Sequence, residues 1–270
     1  MIARVRGQIV LAVGVLLMAV IFLGCLPIML VTGSGDLPIW LARHVWAPIG
    51  LWLAGARLEI VRPPSPPAGP VVFASNHESA LDIWAVFVAI PRSFRFIAKE
   101  ELFRLPLFGW YLRLGGYIPV DRTNHARAVA SLRRAADAVR GGTSILVFPE
   151  GTRSRDGRIQ PFKKGSFVIA KDAGVPVIPI AISGSGAVTP SKIVAVHPGT
   201  IRLAAGDPID PARFPDKAAL LLEVRRRIIE LHRSLGGLGG DVGDVGESLG
   251  APGPESGSRP PPGKAPARPM

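Results

Sequence analysis

The longest hydrophobic stretch of the chain lies at its N-terminus. No charged residue occurs between Gln8 and Val31, a run of 24 positions. At a rise of 1.5 Å per residue, a helix of that length measures about 36 Å, which is enough to cross the hydrocarbon core of a bilayer. The run is longer than the apolar part of a signal peptide, and no small-residue cleavage site follows it. It therefore predicts a membrane anchor that the protein retains.

A second apolar stretch, from Leu37 to Ala56, differs from the first because it contains Arg43, His44 and three tryptophans. Tryptophan and arginine side chains favour the headgroup region, so this stretch predicts an interfacial helix or a helix that returns the chain to its starting side. Two arrangements stay open for the anchor at 1–56: one spanning helix, or a two-helix hairpin or interfacial motif. The many Lys and Arg residues that follow favour the second, with the rest of the chain on the cytoplasmic side.

Beyond the anchor, residues 57–235 alternate short β-branched runs with helical patterns. This alternation is typical of an α/β domain, and it predicts a mixed, mostly parallel sheet flanked by helices. The predicted strands cover residues 71–75, 95–98, 117–120, 144–148 and 177–182, with short strands near Ile193 and Ile201. The predicted helices cover residues 79–89, 100–114, 125–140, 166–173 and 217–235.

The last part of the chain, residues 236–270, is dominated by Gly, Pro and Ser. Its few apolar side chains bury too little surface to offset the entropy of ordering, so a disordered tail is predicted. The chain is thereby divided into an anchor at 1–56, an α/β domain at 57–235 and a tail.

The charge of the chain constrains its partners. A formal net charge of +12 indicates an anionic partner. The basic residues are scattered and only two tyrosines are available to stack on bases, which argues against nucleic acid and in favour of anionic membrane lipids. The single cysteine, Cys25, lies in the apolar run and leaves no intramolecular disulfide and no cysteine metal site.

Polar residues follow directly after the first predicted strand of the domain. His77 stands just past this strand, and Asp82 lies five residues later at the start of a helix. A carboxylate that accepts a hydrogen bond from one imidazole nitrogen leaves the other nitrogen to accept a proton, so the pair predicts a general base. Ser79 suits either a nucleophile or a helix cap, and capping preference favours the cap. Asn76 is interpreted as structural.

A second polar turn, from Glu150 to Arg153, follows the buried strand at 144–148. It combines a glycine, a hydroxyl and a guanidinium, which are groups suited to holding a phosphate ester. Arg122, beside Asp121 at another strand end, adds a further cation. The alternative is that Arg153 only pairs with Glu150 or Asp121 and that the glycine only forms the turn.

Four segments resemble, in order, the four motif blocks of the glycerolipid acyltransferase family. They are Asn76-His77-x4-Asp82, Gly116-x-Ile118-x-Val120-Asp121-Arg122, Phe148-Pro149-Glu150-Gly151-Thr152-Arg153-Ser154 and Val175-Pro176-Val177-Ile178-Pro179. The segment Phe162-Lys163-Lys164-Gly165 resembles a further family motif, whereas Pro119 departs from the family pattern. The resemblance covers roughly residues 70–190.

The resemblance implies an O-acyltransferase in which His77, oriented by Asp82, deprotonates the free sn-2 hydroxyl of 1-acylglycerol 3-phosphate. The hydroxyl oxygen then attacks the thioester of acyl-CoA or acyl-carrier protein and gives phosphatidate, with no metal or redox cofactor. The glycerol phosphate would be held by Arg122, Glu150, Gly151, Thr152 and Arg153. The acyl or acceptor pocket would be shaped by Val175, Pro176, Ile178 and Pro179.

Two alternatives to this function stay open. One is the same chemistry on another acceptor, such as a lyso-ornithine lipid, another lysophospholipid or glycerol 3-phosphate. The other is a non-catalytic module that binds a membrane surface. The expected location is a bacterial-type inner membrane, with the catalytic domain on the cytoplasmic side.

Overall fold

The computed structural model describes residues 1–121, 125–190, 195–241 and 245–246, and it begins with two antiparallel helical segments. The first is α1 (Ile2–Thr32). The second joins α2 (Asp36–Leu41), a π-helical turn (Ala42–Trp46) and α3 (Ala47–Ala54). Two hydrogen bonds fix the antiparallel pairing: Arg6 Nε donates to the Leu53 carbonyl at 3.0 Å, and Trp46 Nε1 donates to the Gly14 carbonyl at 2.8 Å. The second segment therefore packs antiparallel along α1.

Helix α1 is long and apolar enough to cross a membrane, as judged by its length and composition. Within the described ranges it is the one helix that meets this criterion. Gly33 ends it with a φ of 65°, the left-handed conformation that suits glycine at a helix C-terminus.

The remaining elements alternate strands and helices along the chain. In chain order they are β1 (Ala56–Arg62), β2 (Val72–Ser75), α4 (Leu81–Ala89), β3 (Arg95–Lys99), α5 (Phe108–Leu114), β4 (Ile118–Val120), α6 (His125–Arg140), β5 (Ile145–Val147), β6 (Phe162–Lys163), α7 (Val168–Ala173), β7 (Val177–Ser183), α8 (Ser185–Val188), β8 (Gly199–Ala205), α9 (Lys217–Ser234) and β9 (Val245–Gly246). Short 3-10 helices occupy Glu100–Arg104, Lys164–Phe167 and Pro211–Arg213.

Seven strands form one sheet in the order β1-β8-β7-β2-β5-β3-β4. The strands β7, β2, β5, β3 and β4 are mutually parallel, β8 runs antiparallel to β7, and β1 is parallel to β8. The predicted mixed, mostly parallel α/β sheet is thus confirmed. The carboxyl ends of β2, β5 and β7 meet at one edge, where a site is expected in such a sheet.

The two faces of the sheet are covered by different helices. Phe73 of β2 packs towards α4 and the anchor segment α2–α3, whereas Val72 and Ala74 pack towards α6, α7 and α9. The contact with the anchor is tight, because a Cβ atom on Gly50 would come within 2.7 Å of the Trp84 indole. The anchor therefore forms part of the hydrophobic core.

Some elements differ from the sequence prediction. Strand β1 was not predicted, and it pairs with β8 from Ala56 to Arg62. The helix predicted at 100–114 is divided into a 3-10 turn and α5, because Pro106 forces Leu105 out of helical geometry. The short strand predicted near Ile193 lies outside the described residues.

The ordered domain also extends beyond residue 235, where the sequence predicts the tail to begin. The Ile159 backbone N–H donates to the Gly239 carbonyl at 2.8 Å, and Val245–Gly246 pairs with Phe162–Lys163. The predicted boundary at 236 is therefore too early. Composition pointed to disorder because glycines contribute no apolar area, but here they allow close backbone contacts.

Candidate active site

Asn76 fixes the loop that follows β2. Its side-chain Nδ2 donates to the Ile182 carbonyl, and its Oδ1 accepts from the Ile182 N–H, each at 2.8 Å. The side chain is buried, so these two hydrogen bonds join the carboxyl ends of β2 and β7. Asn76 is thus a structural residue that sets the position of His77.

His77 and Asp82 form the predicted hydrogen bond. His77 Nδ1 lies 2.8 Å from Asp82 Oδ2, and Asp82 is fully buried. Because an ionised carboxylate only accepts, Nδ1 carries the proton and Nε2 is left with a free lone pair. The same Oδ2 atom accepts from the backbone N–H groups of Glu78 and Ser79 at 2.7 and 2.9 Å. Three donors therefore hold the carboxylate that orients the imidazole.

Ser79 acts as a cap for α4. Its hydroxyl oxygen accepts from the Leu81 N–H at 3.2 Å, while its own N–H donates to Asp82. This reciprocal pattern resembles a capping box at the start of a helix. Both polar groups of Ser79 are used locally, which supports the cap over the nucleophile.

The turn after β5 holds His77 from a second direction. The Phe148 ring stacks on the imidazole with a centroid distance of 4.1 Å and an interplanar angle of 17°. The Ser154 N–H donates to the His77 carbonyl at 2.7 Å. Because β5 is the direct neighbour of β2, the parallel register brings these two strand ends together.

Glu150 has a different role from the predicted one. Its Oε1 accepts from the His77 N–H and its Oε2 from the Gln160 N–H, both at 2.7 Å, and the residue is buried. Both oxygens are thus occupied by backbone donors, so Glu150 joins loops and does not face a phosphate group. Its pKa is raised to about 8, mainly by burial and in smaller part by the nearby Asp82 and Glu78 carboxylates, while the two backbone N–H donors act in the opposite direction.

Gly151 permits the close approach of a cation. Its φ is 70°, and a Cβ atom there would meet the Lys163 side chain at 2.9 Å. Thr152 and Arg153 follow with exposed side chains. Among the described residues, Glu150 binds two backbone donors and Asp121 lies 3.5 Å from Arg127, and no ion pair joins either carboxylate to Arg153. The predicted phosphate ligand Arg122 lies outside the described residues.

A cavity of about 530 Å³ contains the exposed side of His77. Three cations contribute to its wall: Lys99, Arg153 and Lys163. Lys163 follows Phe162 in the family-like segment, and this motif was the available signal for it. Apolar side chains of the anchor line the same cavity, including Met18, Ile21 and Trp46.

Aromatic rings connect His77 to the anchor in a continuous row. From the imidazole the row runs through Phe148, Phe96, Tyr117 and Tyr111 to Phe22 of α1, with centroid distances of 4.1 to 6.3 Å between successive rings. Sequence periodicity gave no signal for this wall, since its five aromatic residues come from five separate segments of the chain. Apolar rings therefore connect His77 to α1, the helix that is long and apolar enough to cross a membrane.

The residues predicted to shape the acyl pocket do not line this cavity. Val175, Pro176, Ile178 and Pro179 lie at the start of β7, and Val177 pairs with Val72 at the beginning of β2. At about 3.3 Å per residue, this end of β2 is roughly 13 Å from the strand end that carries His77. Val175 and Ile178 pack in the hydrophobic core, Pro179 is buried and Pro176 is half-buried.

The fold and these residues together define a class of protein: an α/β domain with a histidine–aspartate pair at one parallel strand end and a cationic turn at the next. The model of the family described as Acyltransferase matches residues 58–183 of this chain. The matched range includes His77, Asp82 and Arg153. The resemblance inferred from the four blocks is thus confirmed.

Named relatives agree with this assignment. A chloroplastic 1-acyl-sn-glycerol-3-phosphate acyltransferase of Brassica napus is 40% identical over 163 residues, which cover 60% of this chain and 46% of the relative. A 1-acyl-sn-glycerol-3-phosphate acyltransferase of Pseudomonas aeruginosa is 34% identical over 168 residues, with 60% and 64% coverage. The chain thus spans about half the length of the plant relatives it matches.

A solved structure is similar over most of the chain. The crystal structure of the 1-acyl-sn-glycerophosphate (LPA) acyltransferase PlsC from Thermotoga maritima has a TM-score of 0.68 and 26% sequence identity. The similarity covers 82% of this chain and 95% of that chain. It therefore extends beyond the sheet that carries the site.

Proposed function

We propose that the protein transfers an acyl group from a thioester to the sn-2 hydroxyl of 1-acylglycerol 3-phosphate, giving phosphatidate. The observation that carries this proposal is a histidine–aspartate pair in which the aspartate is buried and the histidine faces a cavity with both cationic and apolar walls. An acceptor with a phosphate group and an acyl chain matches both kinds of wall. The names of the relatives support the same acceptor.

In the proposed reaction, His77 Nε2 takes the proton of the acceptor hydroxyl while its oxygen attacks the thioester carbonyl. The Asp82 carboxylate stabilises the imidazolium that forms. As the C–S bond breaks, the proton passes to the leaving thiolate of CoA or carrier protein, so an ester and a thiol are produced. The residues supply all the proton transfers, and the proposal includes no metal or redox cofactor and no acyl-enzyme.

The acceptor is proposed to bind through its phosphate to Arg153, with Lys163 alongside. Arg153→Ala is expected to raise KM for 1-acylglycerol 3-phosphate by about 10- to 100-fold, the effect of losing one charge-assisted hydrogen bond of about 1.5–3 kcal/mol. The value of kcat should change little. Steady-state release of CoA from acyl-CoA in detergent measures both constants.

Arg155→Ala is the matched control, because Arg155 is an exposed arginine two residues away that does not line the His77 cavity. Equal effects of the two substitutions would contradict phosphate binding by Arg153. The same assay with other lysophospholipids, lyso-ornithine lipid and glycerol 3-phosphate tests the alternative acceptors. If no acceptor supports the release of CoA, the protein is instead a non-catalytic module that binds a membrane surface. The three hydrogen bonds that hold the Asp82 carboxylate argue against that interpretation.

We further propose that the anchor lies in a bacterial-type inner membrane with the catalytic domain in the cytoplasm. Support comes from a surface that joins α1 to α5, where exposed apolar side chains lie beside Arg104 and Arg113. Trp110 is 54% exposed there, and Phe22 of α1 packs edge-on against the buried Tyr111 of the same helix. Basic side chains at such a surface suit anionic lipid headgroups.

The orientation is testable by thiol labelling in bacterial cells. In a Cys25→Ser background, Arg213→Cys places a thiol at a side chain that is 81% exposed on the catalytic domain. A membrane-impermeant maleimide is expected to label it only after lysis, because the inner membrane shields the cytoplasm. Labelling in intact spheroplasts would contradict the cytoplasmic orientation.

A further inference from the structure

A second histidine–carboxylate pair lies directly behind the first. Glu78, the neighbour of His77, has its Oε1 atom 2.8 Å from Nε2 of His232, which lies 154 residues later on α9. Both side chains are buried, and the other Glu78 oxygen accepts from the Gly186 N–H at 3.2 Å. The proposed reaction uses neither residue. Burying such a pair costs free energy unless its hydrogen bonds are fully formed. The presence of this pair therefore indicates a structural or positioning role.

The segment that follows α9 sets the tautomer of His232. The Gly239 N–H donates to His232 Nδ1 at 3.0 Å, so the ring proton lies on Nε2 and is donated to Glu78. Three glycines make this approach possible. A Cβ atom on Gly237 would come within 2.3 Å of the imidazole, one on Gly240 within 2.6 Å of the Ile159 carbonyl, and Gly239 has a φ of +69°.

From Gly239 the hydrogen bonds return to His77. The Gly239 carbonyl accepts from the Ile159 N–H at 2.8 Å, and the next residue, Gln160, donates its N–H to Glu150 at 2.7 Å. The other Glu150 oxygen accepts from the His77 N–H. On the opposite side, the Glu78 N–H donates to Asp82, which accepts from the His77 ring. The hydrogen bonds therefore reach the backbone N–H of His77 from one side and its imidazole from the other.

Arg225 strengthens this path from the same helix. It is fully buried, and its guanidinium donates to the carbonyls of Gln160 and Ile159 at 3.3 and 3.5 Å. Helix α9 thus supports the His77 loop through His232 and the Glu150 loop through Arg225. The loops themselves consist mainly of irregular backbone, which has low local stability without such contacts.

We infer that His232 and the segment Gly236–Asp241 form a clasp that positions the catalytic base. His232 is a positioning residue: it holds Glu78, and Glu78 holds through its backbone the carboxylate that orients His77. This inference rests on the proposed role of His77 as the base. It assigns a role in the reaction to the beginning of the glycine-rich C-terminal region.

The test compares two substitutions in the full chain. His232→Leu removes the donor to Glu78 at similar volume, whereas Gln in His232→Gln retains an amide N–H near the Nε2 position. The leucine variant is expected to lower kcat by about 10- to 100-fold with KM for both substrates within about threefold, and the glutamine variant to recover to within about threefold of the original kcat. Arg227→Ala, on the exposed face of α9, is the control for substitutions in this helix.

Thermal unfolding of each variant establishes that it is folded. If the leucine variant does not fold, Gly237→Ala tests the same link, because its methyl group displaces the imidazole, and kcat should fall with KM unchanged. The inference is overturned if folded His232→Leu keeps kcat within about twofold, if the loss appears in KM, or if His232→Gln is as impaired as His232→Leu. Failure of the proposed function is separate, since the unmodified protein would then release no CoA with any acceptor, or His77→Ala would retain activity.

Discussion

Replacing His77 with alanine is expected to lower kcat by about a thousandfold or more, because it removes the only imidazole that lines the cavity within the described structure. General-base catalysis contributes on the order of 10²–10⁴ in rate, and here the base also receives support from Asp82. KM for the acceptor should remain within about threefold, since the cationic wall is unchanged. The measurement is CoA release with 1-acylglycerol 3-phosphate and an acyl-CoA.

His197→Ala provides the control for a histidine that is exposed and remote from the cavity. It should leave both constants unchanged. Retention of more than about a tenth of the original kcat by His77→Ala would show that another group accepts the proton.

Asp82→Asn is expected to give the second largest loss, about 100- to 1000-fold in kcat, because the imidazolium formed in the reaction loses its counter-charge. One oxygen, Oδ2, accepts from all three donors. The amide oxygen of asparagine can take the same position and preserve much of the orientation. The loss in Asp82→Asn therefore reports mainly on the charge, measured by the same assay over a range of acceptor concentrations.

Comparison with Asp82→Ala separates charge from orientation. Alanine also releases the backbone N–H groups of Glu78 and Ser79, so a larger loss and a lower unfolding temperature are expected. Equal kcat values for Asp82→Asn and the unmodified protein would contradict a role for the carboxylate charge.

The local features of the site were predictable because they depend on short stretches of chain. Strand β2 and the start of α4 follow from a buried β-branched run and a capping sequence, and together they place His77 and Asp82 five residues apart at a strand end. Helix α6 begins and ends at the predicted residues, 125 and 140. In these segments, hydrophobic periodicity and the glycines that end the elements determine the local structure.

Roles that depend on partners distant in sequence were not predictable. Glu150 was expected to face a phosphate, but the fold presents two backbone N–H groups to it. The block Val175–Pro179 was expected in the pocket, but parallel pairing with β2 places it at the other end of the sheet. A sequence motif shows which residues occur together in the chain. The direction of the strand determines at which end of the sheet those residues lie.

Local sequence patterns account for the apolar anchor, the α/β class, the family resemblance and the His77–Asp82 pair. Each of these depends on hydrophobic periodicity or on the spacing of residues within short stretches of the chain. The tertiary structure alone decided that the anchor packs into the core, that Glu78 meets His232, and that the first glycines after α9 belong to the domain. These features join segments that lie far apart in the chain, and Glu78 and His232 alone are separated by 154 residues. Their energies come from burial and hydrogen bonds that exist only after the sheet has assembled.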